Sequence, residues 1–373
     1  MPEPFETTSL GGVTLKNRFV RSATWEGMAA EDGTCTAEVA AVVTELAKSE
    51  VGLIISSHAY ISPEGQASPR QVAVYSDRFV VGLKQMADAA HNHGSSIVLQ
   101  LAHAGVQAAT PLTKMDAIGP TAAVGRSGAA GRVMTEEEID ATISAFVDAA
   151  GRARDAGFDG VQLHAAHGYL LSQFLSPYFN RRTDQYGGST KNRARIVLSI
   201  LERIRNSLGD AYPVLIKMNS EDFLDGGLQV EEMLLIAAML AEAGIAGIEM
   251  SGGTIDPAGY QIPVRKKTPV TEDEEVYYRD AARQFKETIR VPLILVGGIR
   301  SYEVAKELIQ DRVADYIALS RPLIREPHLV ARWRSGDIRT SECESCNGCF
   351  GPIFRGRGIY CVRTKAENSG GTT

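Results

Sequence analysis

Eight short runs of this chain are nearly continuously apolar where they begin and polar or glycine-rich where they end. They are Phe19–Thr24, Gly52–Tyr60, Ser95–Leu101, Gly160–Ala166, Pro213–Asn219, Gly247–Gly253, Pro292–Gly298 and Tyr316–Pro322. A strand wetted on one face alternates apolar and polar residues. One buried on both faces reads as an unbroken apolar run, as in a parallel sheet covered by helices. The segments between the runs carry helical signals. Thr135 and Glu138 form a capping-box pair, in which each side chain satisfies a backbone N–H that the helix start leaves free. Ile139, Ile143, Phe146, Val147 and Ala150 then mark one apolar face, and Gly157 is placed to end that helix. After Gln229, a stripe of Met233, Ile236, Ala237 and Leu240 predicts a second helix, closed by Gly244. The phrase Ala-Gly-Phe/Ile-x-Gly recurs at 156–160 and 243–247, ending a helix and entering a strand each time.

Eight strand-then-helix units predict an α/β protein, a (β/α)8 TIM barrel. The rival, an open doubly wound sheet, wants a Gly-x-Gly-x-x-Gly turn after its first strand. Arg21-Ser22-Ala23-Thr24-Trp25-Glu26-Gly27 does not supply one. Of the 373 residues, 1–335 are expected to form the barrel. Residues 336–373 are expected to be a short Cys-rich extension rather than a domain of its own. The formal charge of −6 argues against a nucleic-acid or anionic-membrane partner. No apolar run reaches the ~18–20 residues of a membrane span, and no charged-then-apolar leader stands at the start. These features are expected of a cytoplasmic protein.

Barrels of this kind gather their chemistry at the C-terminal strand ends. The residues there are Thr24 and Trp25, Ala59 and Tyr60, Gln100 and His103, then His164, His167 and Tyr169. Lys217, Ser251-Gly252-Gly253, Gly297-Gly298 and Ser320-Arg321 complete the ring. Glycines at the seventh end let backbone approach an anion, and Ser320-Arg321 adds a hydroxyl and a cation. Together they predict a phosphate-bearing ligand. Imidazoles can donate to a carbonyl or oxyanion, and a tyrosine can deliver a proton. No Asp or Glu stands at ligand spacing around the histidines, which disfavours zinc there. Two stretches stand outside the pattern. Thr110–Arg132 reads as a long βα loop. Ile255–Glu275, with Arg265-Lys266-Lys267, reads as a loop or lid that shapes acceptance.

The block His164-Ala165-Ala166-His167-Gly168-Tyr169-Leu170-Leu171-Ser172-Gln173-Phe174-Leu175-Ser176-Pro177, followed by Asn180-Arg181-Arg182-Thr183-Asp184-Gln185-Tyr186-Gly187-Gly188-Ser189, resembles the signature of the Old Yellow Enzyme family of flavin-dependent ene-reductases. Asn17-Arg18, Gln100-Leu101-Ala102-His103-Ala104-Gly105 and Val296-Gly297-Gly298-Ile299 carry the same resemblance, which spans roughly residues 5–335. It implies an FMN-binding barrel that reduces activated alkenes, small-molecule substrates, with electrons from NADH or NADPH. By the resemblance, Gln100 bonds the flavin pyrimidine edge and Lys217 sits near N1 and O2. Ala23, Thr24 and Ala59 line the isoalloxazine. Gly297, Gly298, Ser320 and Arg321 hold the phosphate. His164 and His167 bind the substrate carbonyl so that its β-carbon accepts hydride from flavin N5, and Tyr169 protonates the α-carbon. Where many relatives place Cys or Thr, this chain has Trp25, a wall against flavin or substrate. Many members are oligomers, so a homo-oligomer is expected. Two other readings use the same residues: an amine dehydrogenase or demethylase of the trimethylamine type, and a non-catalytic flavin or metal redox sensor.

The tail reads Cys343-x2-Cys346-x2-Cys349-x11-Cys361, while Cys35 stands alone. Thiolates at this spacing suit an iron–sulfur cluster or, second, tetrahedral zinc. The tail is similar to that of the branch containing 2,4-dienoyl-CoA reductase and trimethylamine dehydrogenase, where it ligates an iron–sulfur cluster. There the middle gap is usually one residue longer and a second flavin domain follows. The expectation for this shorter tail, ending at Thr373, is that a cluster would exchange electrons with another protein or directly with the flavin.

Overall fold

The computed structural model describes residues 1–128, 130–255, 263–266, 271 and 274–364. Each of the eight apolar runs forms a strand: β1 (Phe19–Arg21), β2 (Leu53–Tyr60), β3 (Ser96–Ala102), β4 (Gly160–Ala165), β5 (Val214–Asn219), β6 (Gly247–Ser251), β7 (Leu293–Val296) and β8 (Tyr316–Leu319). Every neighbour pairs in parallel and β8 pairs back onto β1, so the sheet closes into a barrel. Eight helices alternate with the strands: α1 (Ala37–Lys48), α2 (Val80–His91), α3 (Glu136–Asp155), α4 (Thr190–Leu208), α5 (Val230–Glu242), α6 (Arg279–Thr288), α7 (Tyr302–Gln310) and α8 (Leu329–Arg334). The expected α/β class and (β/α)8 barrel are therefore what the chain forms. Among the described residues no helix is long and apolar enough to cross a membrane.

The local reasons follow the residues. The Thr135–Glu138 capping box opens α3 as its spacing predicts. Replacing Thr135 with Ala is expected to lower stability by about 1 kcal/mol, read as a lower urea midpoint at unchanged slope. Met233, Ile236, Ala237 and Leu240 are the buried stripe of α5. Several strands end earlier than their apolar runs. β7 stops at Val296 because Gly297 and Gly298 take φ of 121° and 80°, where backbone leaves the extended ladder. The residues past each strand end are thereby released to turn over the barrel mouth. At the opposite end, a hairpin of Thr8–Leu10 and Val13–Leu15 plugs the barrel, its Leu10 and Leu15 packing on Val20, Leu53, Val98 and Leu215.

Both long loops have identifiable content. The 110–132 stretch holds a helical turn, Thr110–Thr113. Ile118–Gly119 pairs in parallel with Arg132–Val133 at its close. Of Ile255–Glu275, residues 256–262, 267–270 and 272–273 lie outside the described residues, and Lys267 of the basic cluster is among them. The tail returns to the mouth. Cys349, Ile353 and Ile359 bury themselves against Trp25, Met28 and Ile324. Gly27 makes room for this contact, since a Cβ there would lie 2.2 Å from Ile353 Cγ2.

Candidate active site

A layer of polar side chains crosses the barrel interior near its mouth, where barrels of this class are usually filled by branched apolar residues. Gln100 Nε2 donates to Gln162 Oε1 (2.7 Å), and Gln162 Nε2 donates to Glu249 Oε2 (2.8 Å). Glu249 Oε1 accepts from Ser22 Oγ (2.5 Å) and Lys217 Nζ (2.9 Å), and Lys217 also donates to Ser22 Oγ (2.8 Å). Strand register builds the chain: Gln100 lies beside Gln162, and Lys217 lies between His164 and Glu249 on the flanking strands. Glu249 is fully buried and Lys217 nearly so. A buried pair of this kind is tolerable only when its remaining hydrogen bonds are made, as here.

Above this layer lies a cavity of about 460 Å³. Its β4 wall carries the two histidines and the tyrosine. His167 and Gly168 both take left-handed backbone, φ 65° and 78°. A Cβ on Gly168 would fall 2.3 Å from Thr254 Oγ1. Glycine is therefore required there, and the turn it permits folds Tyr169 back over the mouth. The strained His167 backbone is held by its N–H to Asn219 Oδ1 (3.2 Å), a cost that persists where surrounding contacts over-determine it. The His164 ring stands almost perpendicular to those of His167 (centroids 5.3 Å, 82°) and Tyr169 (5.0 Å, 87°). Ser251 Oγ lies 2.7 Å from His167 Nε2. His164 Nδ1 is buried without a partner among the described residues.

The electrostatics favour neutral rings. Burial, reinforced by the neighbouring His167, His58 and Lys217, holds His164 well below the ordinary imidazole range. Burial and the Lys217 ammonium do the same for His167. Burial raises the Tyr169 phenol, and the Arg126 guanidinium beside it pulls the other way. Tyr169 is thus a protonated phenol and the imidazoles are N–H donors without charge.

At the β7–β8 end, Gly297, Gly298, Ser320 and Arg321 line the same cavity. A Cβ on Gly298 would meet the Tyr277 ring at 2.4 Å, so the bare backbone admits that ring. Thr24 Oγ1 and Ser320 Oγ are 2.7 Å apart. Arg321 NH1 donates to Arg265 O (2.8 Å), Asn347 Oδ1 (2.7 Å) and Ser345 O (3.1 Å). The tail therefore grips the expected phosphate arm, and Cys343, Phe350 and Phe354 reach the cavity wall. Trp25 lines the cavity and meets Phe354 edge-on at 5.7 Å.

The residues present suit FMN: a cavity within the usual ligand range of ~300–1,000 Å³, an amide and an ammonium at one end, and glycine backbone, a hydroxyl and a guanidinium at the other. For the tail, Cys343, Cys346, Cys349 and Cys361 all line one smaller cavity, and all are free thiols. Among the described residues no three His, Cys, Asp or Glu side chains converge as a single metal ion would require.

Most expected site residues meet at this cavity: Ala23, Thr24, Trp25, Gln100, His164, His167, Tyr169, Lys217, Gly297, Gly298, Ser320 and Arg321. Ala59 does not. It is fully buried in the core, and His58 faces the cavity in its place. A strand alternates its faces, and the β2 register shifts between Ile55 and His58. His103 is also turned away, its Nδ1 accepting from Gly105 N (3.0 Å) and its Nε2 3.6 Å from Glu64. Four contributors were missed. His58 stacks on Tyr169 (5.7 Å, 14°), and burial takes its imidazole down to about 3. Arg126 comes from the 110–132 loop. Gln162 and Glu249 carried a signal, since each interrupts an otherwise apolar strand.

Comparison with known proteins bears on this site. The NADH:flavin oxidoreductase / NADH oxidase family model matches residues 3–338. The NADH oxidase of Thermoanaerobacter brockii is 34% identical over 97% of this chain, which spans 56% of that protein's length. The 4,4'-dithiodibutanoate disulfide reductase of Rhodococcus erythropolis is 31% identical, covering 95% of this chain and 94% of the relative. The solved old yellow enzyme homologue from Zymomonas mobilis superposes with a TM-score of 0.77 at 26% identity, over 92% of this chain and 96% of that one. With a barrel that matches almost end to end, the chain belongs to the NADH:flavin oxidoreductase / NADH oxidase family, that of the old yellow enzymes.

Proposed function

We propose that the protein is an FMN-dependent NAD(P)H oxidoreductase that reduces the C=C bond of α,β-unsaturated carbonyl compounds. The observation that carries this reading is the pair of imidazoles, which burial keeps uncharged, set beside the Tyr169 phenol, which burial keeps protonated, in one cavity. Two N–H donors from His164 and His167 bind one carbonyl oxygen and draw electron density from the alkene. FMN, held by Gln100 and Lys217 at its pyrimidine edge and by Gly297, Gly298, Ser320 and Arg321 at its phosphate, would supply hydride drawn from NAD(P)H. Tyr169 gives its proton to the α-carbon, so that one hydride and one proton saturate the bond. Trp25, Tyr277 and Tyr278 bound the cavity and exclude water from the reacting atoms.

Residues 336–373 are assigned as an extension of the barrel, and the four thiols as ligands of an iron–sulfur cluster. Two things support this. The thiols surround one cavity. At Cys361, burial opposes ionisation, but bonds from Thr364, Arg363 and Arg325 outweigh it and lower that thiol, whereas burial raises the Cys343 and Cys349 thiols, the latter to about 11. Arg325 lies 4.0 Å from the same sulfur.

An anaerobic visible spectrum tests both assignments. Purified protein is expected to show a flavin band that bleaches with NADH or NADPH and returns with cyclohexenone. Iron and acid-labile sulfide are expected in near-equal amounts. Bleaching by an amine instead, or reoxidation by a disulfide but not by the enone, would overturn the ene-reductase reading. Zinc alone would overturn the cluster.

A further inference from the structure

One buried carboxylate in the barrel interior makes three side-chain hydrogen bonds, and the reaction above does not use it. Glu249 sits on β6 with its carboxylate fully buried. It accepts from Lys217 Nζ, Ser22 Oγ and Gln162 Nε2 at 2.9, 2.5 and 2.8 Å. Gln162 passes the constraint on, because its Oε1 takes the Gln100 amide at 2.7 Å. One carboxylate therefore bonds one of the two polar side chains at the pyrimidine end of the cavity directly and the other through a single amide. We propose that Glu249 is a positioning residue that aims both Lys217 and Gln100 and, by its charge, offsets the lysine so that the cavity favours reduced flavin less than the lysine alone would.

Two physical arguments support this. First, long side chains lose rotamer freedom when they bind a ligand. Side chains already held by buried bonds have made that loss on folding. Without Glu249, the Lys217 ammonium would keep only Ser22 of its bonds in this layer. Gln162 would lose its acceptor, and the Gln100 amide would be held by an unanchored neighbour. Second, reduced flavin carries negative charge at the edge assigned to Lys217, and charge near that edge tunes the cofactor. A fixed negative charge 2.9 Å behind the lysine, in a water-poor layer where Coulomb terms are strong, opposes that form.

The proposal rests on Gln100 and Lys217 facing the flavin edge. Its test uses the midpoint potential of the holoprotein and the affinity of the apoprotein for FMN, not turnover. Glu249→Gln keeps the shape and an acceptor for the lysine but removes the charge. It is expected to tighten reduced FMN about tenfold relative to oxidised FMN, a rise of about 30 mV for a two-electron couple. Glu249→Asp keeps the charge but retracts it. Its potential should stay at the parent value while oxidised FMN binds several-fold more weakly. Should Glu249→Gln not fold, Gln162→Leu separates the arms, with oxidised FMN expected to bind about tenfold more weakly and the potential unmoved.

An unchanged or lowered potential in Glu249→Gln overturns the charge role. Parent-like FMN affinity in both Glu249→Asp and Gln162→Leu overturns the aiming role. A parent protein that binds no FMN overturns the assignment of the cavity itself, which is a distinguishable failure.

Discussion

Replacing His164 and His167 together with Ala is expected to cut kcat/KM for an enone by about a thousandfold while the bound-flavin spectrum persists. Loss of one well-placed oxyanion donor costs roughly 10²–10³ in rate, and donors that act on one oxygen lose their effect as a unit rather than additively. Both rings are uncharged in the fold, so their removal takes away directed N–H groups and not a field. The cavity should keep its flavin because Gln100 and Lys217 lie on other strands and Arg321 lies just past the end of β8. Tyr169→Phe offers the contrast. It keeps the stacking on His58 and deletes the transferable proton, so kcat should fall about a hundredfold with KM little changed. Steady-state kinetics with cyclohexenone separate the two. A double variant within tenfold of the parent would mean that another group binds the carbonyl.

Acid is expected to unfold this protein earlier than its surface charges suggest. Three buried imidazoles stay neutral in the fold: His58, lowered by burial to about 3, and His164 and His167, lowered well below the ordinary value. In the unfolded chain they titrate near 6.5. Below that pH the unfolded state takes up protons that the folded state refuses, so stability falls as pH falls. Above it, the three contribute no pH dependence. From pH 6 to 5 the loss is about 1 kcal/mol per ring, or about 3–4 kcal/mol for the three. Carboxylates such as Glu64 and Glu138, held near 2 in the fold, act lower, below their unfolded values near 4.3. Burial raises the Glu26, Glu221 and Asp222 carboxyls, which act in the opposite sense by taking up protons in the fold, so comparison with a histidine variant is what isolates the rings. Urea unfolding at fixed flavin saturation measures the slope, and His58→Gln should remove about a third of it. Equal stability at pH 7 and 5 would show that the rings are not held neutral.

The barrel was legible because burial on both faces leaves a mark on sequence. All eight strands sit where continuous apolar runs stand, and α3 begins at its capping box. The ends of those runs were less legible. The Pro292–Gly298 run continues past the last residue that stays in the ladder, because composition does not report φ at Gly297. The His164–Tyr169 block was readable for a different reason. His164, His167 and Tyr169 come from one short segment, and the left-handed turn at His167–Gly168 brings the rings together.

Ala59 and His58 show what spacing misses. Neighbours on one strand face opposite ways, and a local register shift decided which of them meets the cavity. Glu249 shows a second kind of loss. Read alone, it is a charge in an apolar run. Its partners Lys217, Ser22 and Gln162 are 32, 227 and 87 residues away, and only closure of the barrel makes them neighbours. Arg126 reaches Tyr169 because the 110–132 loop folds over the mouth. The cysteine spacing marked the tail as a feature of its own, but not that Ser345 and Asn347 within it would hold Arg321.

By itself, then, the sequence determined the strand count, the barrel and the residues of the β4 block, because each is written in local periodicity or spacing. The tertiary structure alone decided which polar residues face inward together and how the tail closes the mouth. Those contacts join chain segments far apart in sequence, and no local pattern records the register in which a closed sheet brings them side by side.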